Sequence, residues 1–244
     1  MADNPYVGPR SIKTGEAFWG RDREIRSLSA LLLAERIVLL HSPSGAGKSS
    51  LIEAGLRPRM EERFRVSPLV RVNLEIPDEL RGMARLNRYL ISTMLSLEEG
   101  WPLKQRLSLM ELATLSLDAY LEKRTLPDDA LENSLLLFDQ FEEVLTVAPA
   151  DAPAKQQFFE QLGEALQNRR RWALFAIRED YMGGLAPYVR AIPNSLNVTF
   201  RLGLLGTQAA KLAIQQPAKD KGVDFTDAAT QKLVDDLSLM QVQH

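Results

Sequence analysis

Residues 36–50 read RIVLLHSPSGAGKSS. The opening RIVLLH is an apolar run too continuous for a half-exposed strand, and such runs fit a parallel strand buried on both faces. Next, residues 42–49, SPSGAGKS, follow the phosphate-loop pattern G-x-x-x-x-G-K-[ST] except at the first place, where Ser42 stands for glycine. Ser44, Gly45, Ala46, Gly47, Lys48, Ser49 and Ser50 form a candidate anion cradle. Gly45 and Gly47 let backbone N–H groups turn inward around an oxyanion, a geometry that side chains would obstruct. Lys48 brings a compact charge to the outer phosphates, and the Ser49 hydroxyl suits a Mg2+ ligand. A helix opening near Ser49 adds its positive dipole end. Ser42 is expected to carry some strain, because a non-glycine residue is disfavoured at positive φ. Strand, loop and helix in this order predict a nucleotide-binding α/β protein.

The same reading extends outward. Apolar spacing of three and four residues predicts a helix from about Arg21 to Glu35. VSPLVRVNL, SLLLFD (134–139) and WALFAI (172–177) read as further strands, and LNVTFRL as a fourth or edge strand. Long helices are predicted over about Asp78–Leu97 and Arg106–Lys123, and Asp151 caps another that carries Phe158, Leu162 and Leu166. Strands alternating with helices give a mostly parallel, five-stranded sheet. After Gly203 the pattern changes to two helices, about Thr207–Ala218 and Thr226–Met240. The expected division is a nucleotide-binding core over 1–202 and an incomplete helical appendage over 203–244, the chain being a piece of a longer protein.

Composition narrows the function. The 244 residues carry 30 Lys+Arg against 32 Asp+Glu, a balance that argues against nucleic acid as a direct partner. With no cysteine, disulfides, thiolate zinc and thiol catalysis are excluded. Two histidines, His41 and His244, give poor support for a histidine metal site or a serine–histidine relay. His41 reads as a strand-end core residue. No apolar run reaches the roughly 20 residues that span a bilayer, and the start lacks a signal-peptide core, so a cytoplasmic protein without membrane contact is expected. Arg169, Arg170 and Arg171 read as charge complementing a helix C-terminus.

Asp139 ends an apolar strand, where a carboxylate can hold Mg2+ beside Ser49. Gln140 takes the next place, where many hydrolytic relatives carry a second acid, leaving Glu142 and Glu143 as the nearest groups to orient a water. Arg178 ends WALFAI, where a guanidinium could reach a γ-phosphate; the plainer reading pairs it with Glu179 or Asp180. The extra strand between the loop strand and the Asp139 strand points to the ATPase-like branch. The absence of N-K-x-D weakens a GTPase, and that of L-S-G-G-Q a transporter ATPase.

Six segments together carry a resemblance: NPYVGPRSI, FWGRDREI, SPSGAGKSSLIEAGLRP, LLLFDQFEEVLT, AIREDYMGGLAPY and LAIQQPA. In this order they are similar to the STAND-class P-loop NTPases, specifically the novel STAND NTPase 1 group. The resemblance implies an ASCE/AAA+-like core followed by the start of a helical lid or winged-helix region. It implies Gly20 and Arg21 near adenine and ribose, with Lys48, Ser49 and Asp139 on phosphate and Mg2+, and Arg178 as a sensor. It further implies a switch, ADP-bound at rest and ATP-bound and oligomeric when active, with slow hydrolysis and with sensor and effector regions outside this chain. Defence signalling is the role it implies. Ser42 and an end before the family's glycine/leucine–proline segment are departures. Two other readings stand beside it: an AAA+-type remodelling ATPase with steady turnover, and a scaffold that holds nucleotide without hydrolysing it.

Overall fold

The computed structural model describes residues 4, 6, 8, 10–83, 86–125 and 131–241. Among them, β1 (Ile37–Ser42), β2 (Arg65–Val70), β3 (Ser134–Phe138), β4 (Arg171–Arg178) and β5 (Thr199–Arg201) form one parallel sheet, in the order β2-β3-β4-β1-β5. The strand that ends in Arg178 therefore lies between the loop strand and the Asp139 strand.

Side-chain alternation explains why the strands read as unbroken apolar runs. Val38, Leu40, Leu135, Leu137, Leu174 and Ala176 share one face with Ile25, Leu28 and Leu32 of α1 (Asp22–Glu35). The same face holds a helical run that opens at α2 (Lys48–Ser50), widens through the π-helical turn Leu51–Leu56 and ends in α3 (Arg57–Met60). Ile37, Leu39, Leu136, Phe138, Ala173, Phe175 and Ile177 point the other way. They meet α4 (Arg88–Glu98), α5 (Leu109–Thr114), α6 (Leu117–Lys123), α7 (Glu143–Thr146) and α8 (Ala152–Ala165). Both faces are covered, as a parallel sheet requires. Helices α9 (Thr207–Asp220) and α10 (Asp227–Gln241) pack on each other after the sheet.

Three expectations need correction. The long helix over 78–97 is instead a 3-10 turn at Asp78–Leu80 and the shorter α4. Gly82 at φ +83° breaks the run, and Asn87 starts α4 by accepting from the Tyr89 and Leu90 N–H groups. The helix over 106–123 is likewise two, α5 and α6. Ser108 opens α5 with a reciprocal capping box to Glu111, and Ser116 caps α6 by accepting from the Ala119 N–H. The strand predicted over 66–74 stops at Val70. Pro68 confines β2 to the sheet edge, where the register shifts between Val66 and Leu69. At that shift the Ser67 hydroxyl accepts from the Leu137 N–H at 3.1 Å, replacing a lost ladder bond.

Candidate nucleotide-binding site

The phosphate loop leaves β1 at the carboxyl edge of the sheet, where open α/β folds place their ligands. Gly45 and Gly47 have φ of +76° and +90°, and a Cβ built at either meets no atom within 4 Å. Backbone conformation, not crowding, therefore demands glycine there, and the front of the loop has room for an oxyanion. Ser42, by contrast, ends β1 as an ordinary strand residue and is not among the non-glycine residues of positive φ. The strain expected of it does not arise. Its hydroxyl accepts from Lys48 Nζ at 2.8 Å and donates to the Pro43 carbonyl at 2.8 Å. Burial holds the Lys48 pKa below the usual lysine range, partly offset by Glu142 and Asp139.

Parallel pairing of β3 with β4 brings Asp139 level with the loop. The Asp139 carboxylate is 1% exposed. Its Oδ2 accepts from Ser49 Oγ at 2.7 Å and from Arg71 Nη2 at 3.0 Å, and its Oδ1 accepts from the Gln140 N–H at 3.0 Å. Gln140 sits at φ +53°, a conformation costly for a side-chain-bearing residue, which turns the chain sharply behind Asp139. Glu142 accepts from the Arg178 N–H at 3.2 Å, tying the ends of β3 and β4 together. The Arg178 guanidinium donates to Asp180 at 2.8 Å and lies 5.3 Å from the Tyr181 ring centroid.

These groups enclose a cavity of about 330 Å³. It brings together Ser44, Gly45, Gly47, Lys48, Ser49, Ser50, Asp139, Glu142 and Arg178 from the sequence-derived set, with Gln140. Four members of that set stand elsewhere. Ala46 is buried among apolar side chains behind the loop. Glu143 opens α7, and burial raises its pKa against the opposing pull of Arg71. Arg21 is 3% exposed and does not reach the cavity: its Nη2 donates to the Ala46 carbonyl at 3.0 Å and to the Gly203 carbonyl at 2.8 Å. Gly20, at φ +83°, lies so close to α9 that an added Cβ would stand 2.5 Å from the Ala209 carbonyl oxygen. Arg21 thus ties the phosphate loop to the segment that follows β5, and Gly20 lets α9 approach that junction.

Sequence reasoning missed three residues. Arg10 and Ser11 line the cavity, carried there by a segment whose Ile12 N–H donates to Ser50 Oγ at 3.0 Å. The only signal for them was their place in the NPYVGPRSI segment. Arg71 follows β2 and had no motif of its own. His41 is a buried-edge residue as expected, its pKa lowered by burial and its Nδ1 3.8 Å from Glu179. Arg171 starts β4 and donates to the Ala165 carbonyl at 2.9 Å, so that member of the basic cluster does complement a helix end.

A larger cavity of about 370 Å³ opens at the opposite edge, near Ser134, Trp101 and Leu121. Its Arg124 is engaged by Glu98, and its Arg171 by Asp118 and Glu122. It presents mostly apolar wall, so the phosphate-loop cavity carries the polar chemistry.

The donor set fits a magnesium-bound nucleotide. Among the described residues no group of three or more His, Cys, Asp or Glu side chains could hold a metal unaided. Mg2+ binds through one or two carboxylates together with nucleotide phosphates and water, and Ser49 with Asp139, hydrogen-bonded to each other, would be the protein's share. Among the described residues, no helix is long and apolar enough to cross a membrane.

Comparison with known proteins bears on the fold and the family. The Walker-type ATPase PABY2304 of Pyrococcus abyssi has the same fold, with a TM-score of 0.62 and 16% identity over 93% of this chain and 65% of that one. This chain thus spans less than two thirds of that protein. A looser similarity, TM-score 0.49 and 14% identity, covers 84% of this chain and 50% of the Aeropyrum pernix ORC1 protein, solved in complex with DNA. No curated protein sequence matches. The profile of the family described as Novel STAND NTPase 1 matches residues 5–243, and the chain, a P-loop NTPase by fold, belongs to that family.

Proposed function

We propose that this domain is an ATP-dependent molecular switch: it exchanges ADP for ATP with Mg2+, hydrolyses slowly, and associates with further copies in the ATP form. Lys48 and the loop N–H groups would hold the phosphates, and Ser49 and Asp139 the metal. Glu142 would orient water, with Glu143 behind it, and Arg178 would sense the γ-phosphate by leaving Asp180. The observation that carries the reading is Arg21, one buried side chain bonded both to the loop at Ala46 and to the start of the appendage at Gly203. A nucleotide can shift a two-state equilibrium only through differential affinity, and a physical link between loop and appendage gives it the means. Such a switch belongs in the cytoplasm and takes its trigger and its output from regions outside this chain.

The test compares sedimentation with MgADP and with MgATP. A larger species with ATP alone is expected; equal sizes overturn the switch. Lys48→Ala should abolish binding of both nucleotides in calorimetry. Arg178→Ala should weaken ATP more than ADP, and equal losses would remove it as a sensor. Turnover near the enzyme median of about 10 per second would favour a remodelling ATPase. Gln140, on the cavity wall where a second acid is usual, favours the non-hydrolysing scaffold as the second reading; ATP recovered intact after long incubation with Mg2+ would establish it.

A further inference from the structure

Arg71 belongs to no motif, yet the fold builds a mount for it. Val70 pairs with Phe138 in parallel register, and the Asp139 N–H donates to the Val70 carbonyl at 3.0 Å. The residue that follows β2 therefore stands beside Asp139. Arg71 follows the last residue of an edge strand, and α4 supplies the partners that a neighbouring strand would have given. Ser92 Oγ donates to the Arg71 carbonyl at 2.6 Å, and the Arg71 N–H donates to Ser96 Oγ at 3.0 Å. These serines are four residues apart, hence on one helix face, and both are buried. With its backbone fixed at both polar groups, Arg71 extends its guanidinium to Asp139 Oδ2 at 3.0 Å, the same oxygen that Ser49 engages.

The Asp139 carboxylate is 1% exposed, and removing one partner of a buried pair leaves a charge without compensation, which is costly. The same reasoning sets a conflict. A divalent cation arriving on the Asp139 and Ser49 pair brings positive charge next to a guanidinium that already occupies the shared oxygen.

We propose that Arg71 is the positioning residue of the metal end of the site: a resident counter-charge that holds the Asp139 carboxylate in place before nucleotide arrives and competes with the nucleotide's Mg2+ for the oxygen it shares with Ser49. It sets the Mg2+ concentration at which the site loads, and it makes the Ser92/Ser96 face of α4 part of that setting. This inference rests on the nucleotide-binding reading above.

The experiment titrates Mg2+ into protein with ATP held constant and follows affinity by fluorescence of a labelled nucleotide, alongside the same measurement in EDTA and melting without nucleotide. Arg71→Ala should lower the half-saturating Mg2+ by about tenfold, a moderate shift because the guanidinium is 31% exposed and solvent screens it. The same variant should melt earlier without nucleotide and leave the EDTA affinity unchanged. Arg71→Lys, which keeps the charge, should restore most of the wild-type Mg2+ midpoint. Adding Asp139→Asn to Arg71→Ala should recover the lost melting temperature, since the unpaired charge is then gone. A Mg2+ midpoint that stays put or rises in Arg71→Ala, in a wild type that binds normally, overturns this inference alone. A wild type that binds no nucleotide at any Mg2+ concentration overturns the function reading, and this one with it.

Discussion

At the scale of single residues, the Ser42 hydroxyl does what a glycine cannot: it accepts from Lys48 Nζ and holds the ammonium before any phosphate is there. Burial keeps the Lys48 pKa below the usual lysine range, and neighbouring phosphate oxygens would push it back up. Binding must then be accompanied by proton uptake at alkaline pH. The sign follows directly: affinity is flat while Lys48 is protonated in the free protein and falls as pH rises through its depressed free-state pKa. Calorimetry from about pH 7 to about pH 10 should show weakening at a lower pH than an ordinary lysine would give; a flat profile excludes the shift. Ser42→Ala should loosen the tether and weaken ATP binding several-fold without unfolding the protein, read as affinity against melting temperature. Lys48, Ser49 and Asp139 were legible in the sequence because spacing within one loop and one strand end encodes them. Arg71 was not, because only the pairing of two strands 68 residues apart brings it to Asp139. The link that Arg21 makes was hidden for a similar reason: one of the carbonyls that hold it lies 182 residues away.

Among the elements, the buried strands were legible because both faces of the sheet are covered, so the middle of each is a continuous apolar run. The helices after β2 were not. Apolar spacing runs on from one helix into the next, and the breaks are set by short-range hydrogen bonds at Asn87, Ser108 and Ser116. Asn87→Ala removes the one acceptor of two α4 N–H groups, and also the side-chain bonds to the Ala154 carbonyl and to Gln157 at 2.8 and 2.9 Å. A loss of about 1–2 kcal/mol is expected in chemical denaturation. On α8, a Cβ at Gly163 would stand 2.0 Å from the Ala191 carbonyl oxygen, backbone that has little room to yield. Gly163→Ala should cost about 1–3 kcal/mol through overpacking; wild-type stability would mean that the 189–191 turn moves freely.

Across the whole molecule, the chain before α1 meets the helical segment after β5. Tyr6 donates its hydroxyl to the Ile214 carbonyl at 2.8 Å, and Gly20 admits α9 to van der Waals range. Gly20→Ala should push α9 outward. Amide exchange over residues 207–220 should then quicken, while β1, β3 and β4 stay protected; uniform exchange changes would mean general destabilisation instead. The geometry of Arg21 adds a further constraint. One nitrogen, with two protons, serves both carbonyls, so neither bond can stretch far without letting go. A parted carbonyl left dry costs about 1–3 kcal/mol, and half-open positions gain nothing in return. Detachment of the appendage should therefore resemble a snap fastener coming undone, abrupt and all at once, and single molecules watched over time should dwell in two positions with sparse traffic between them.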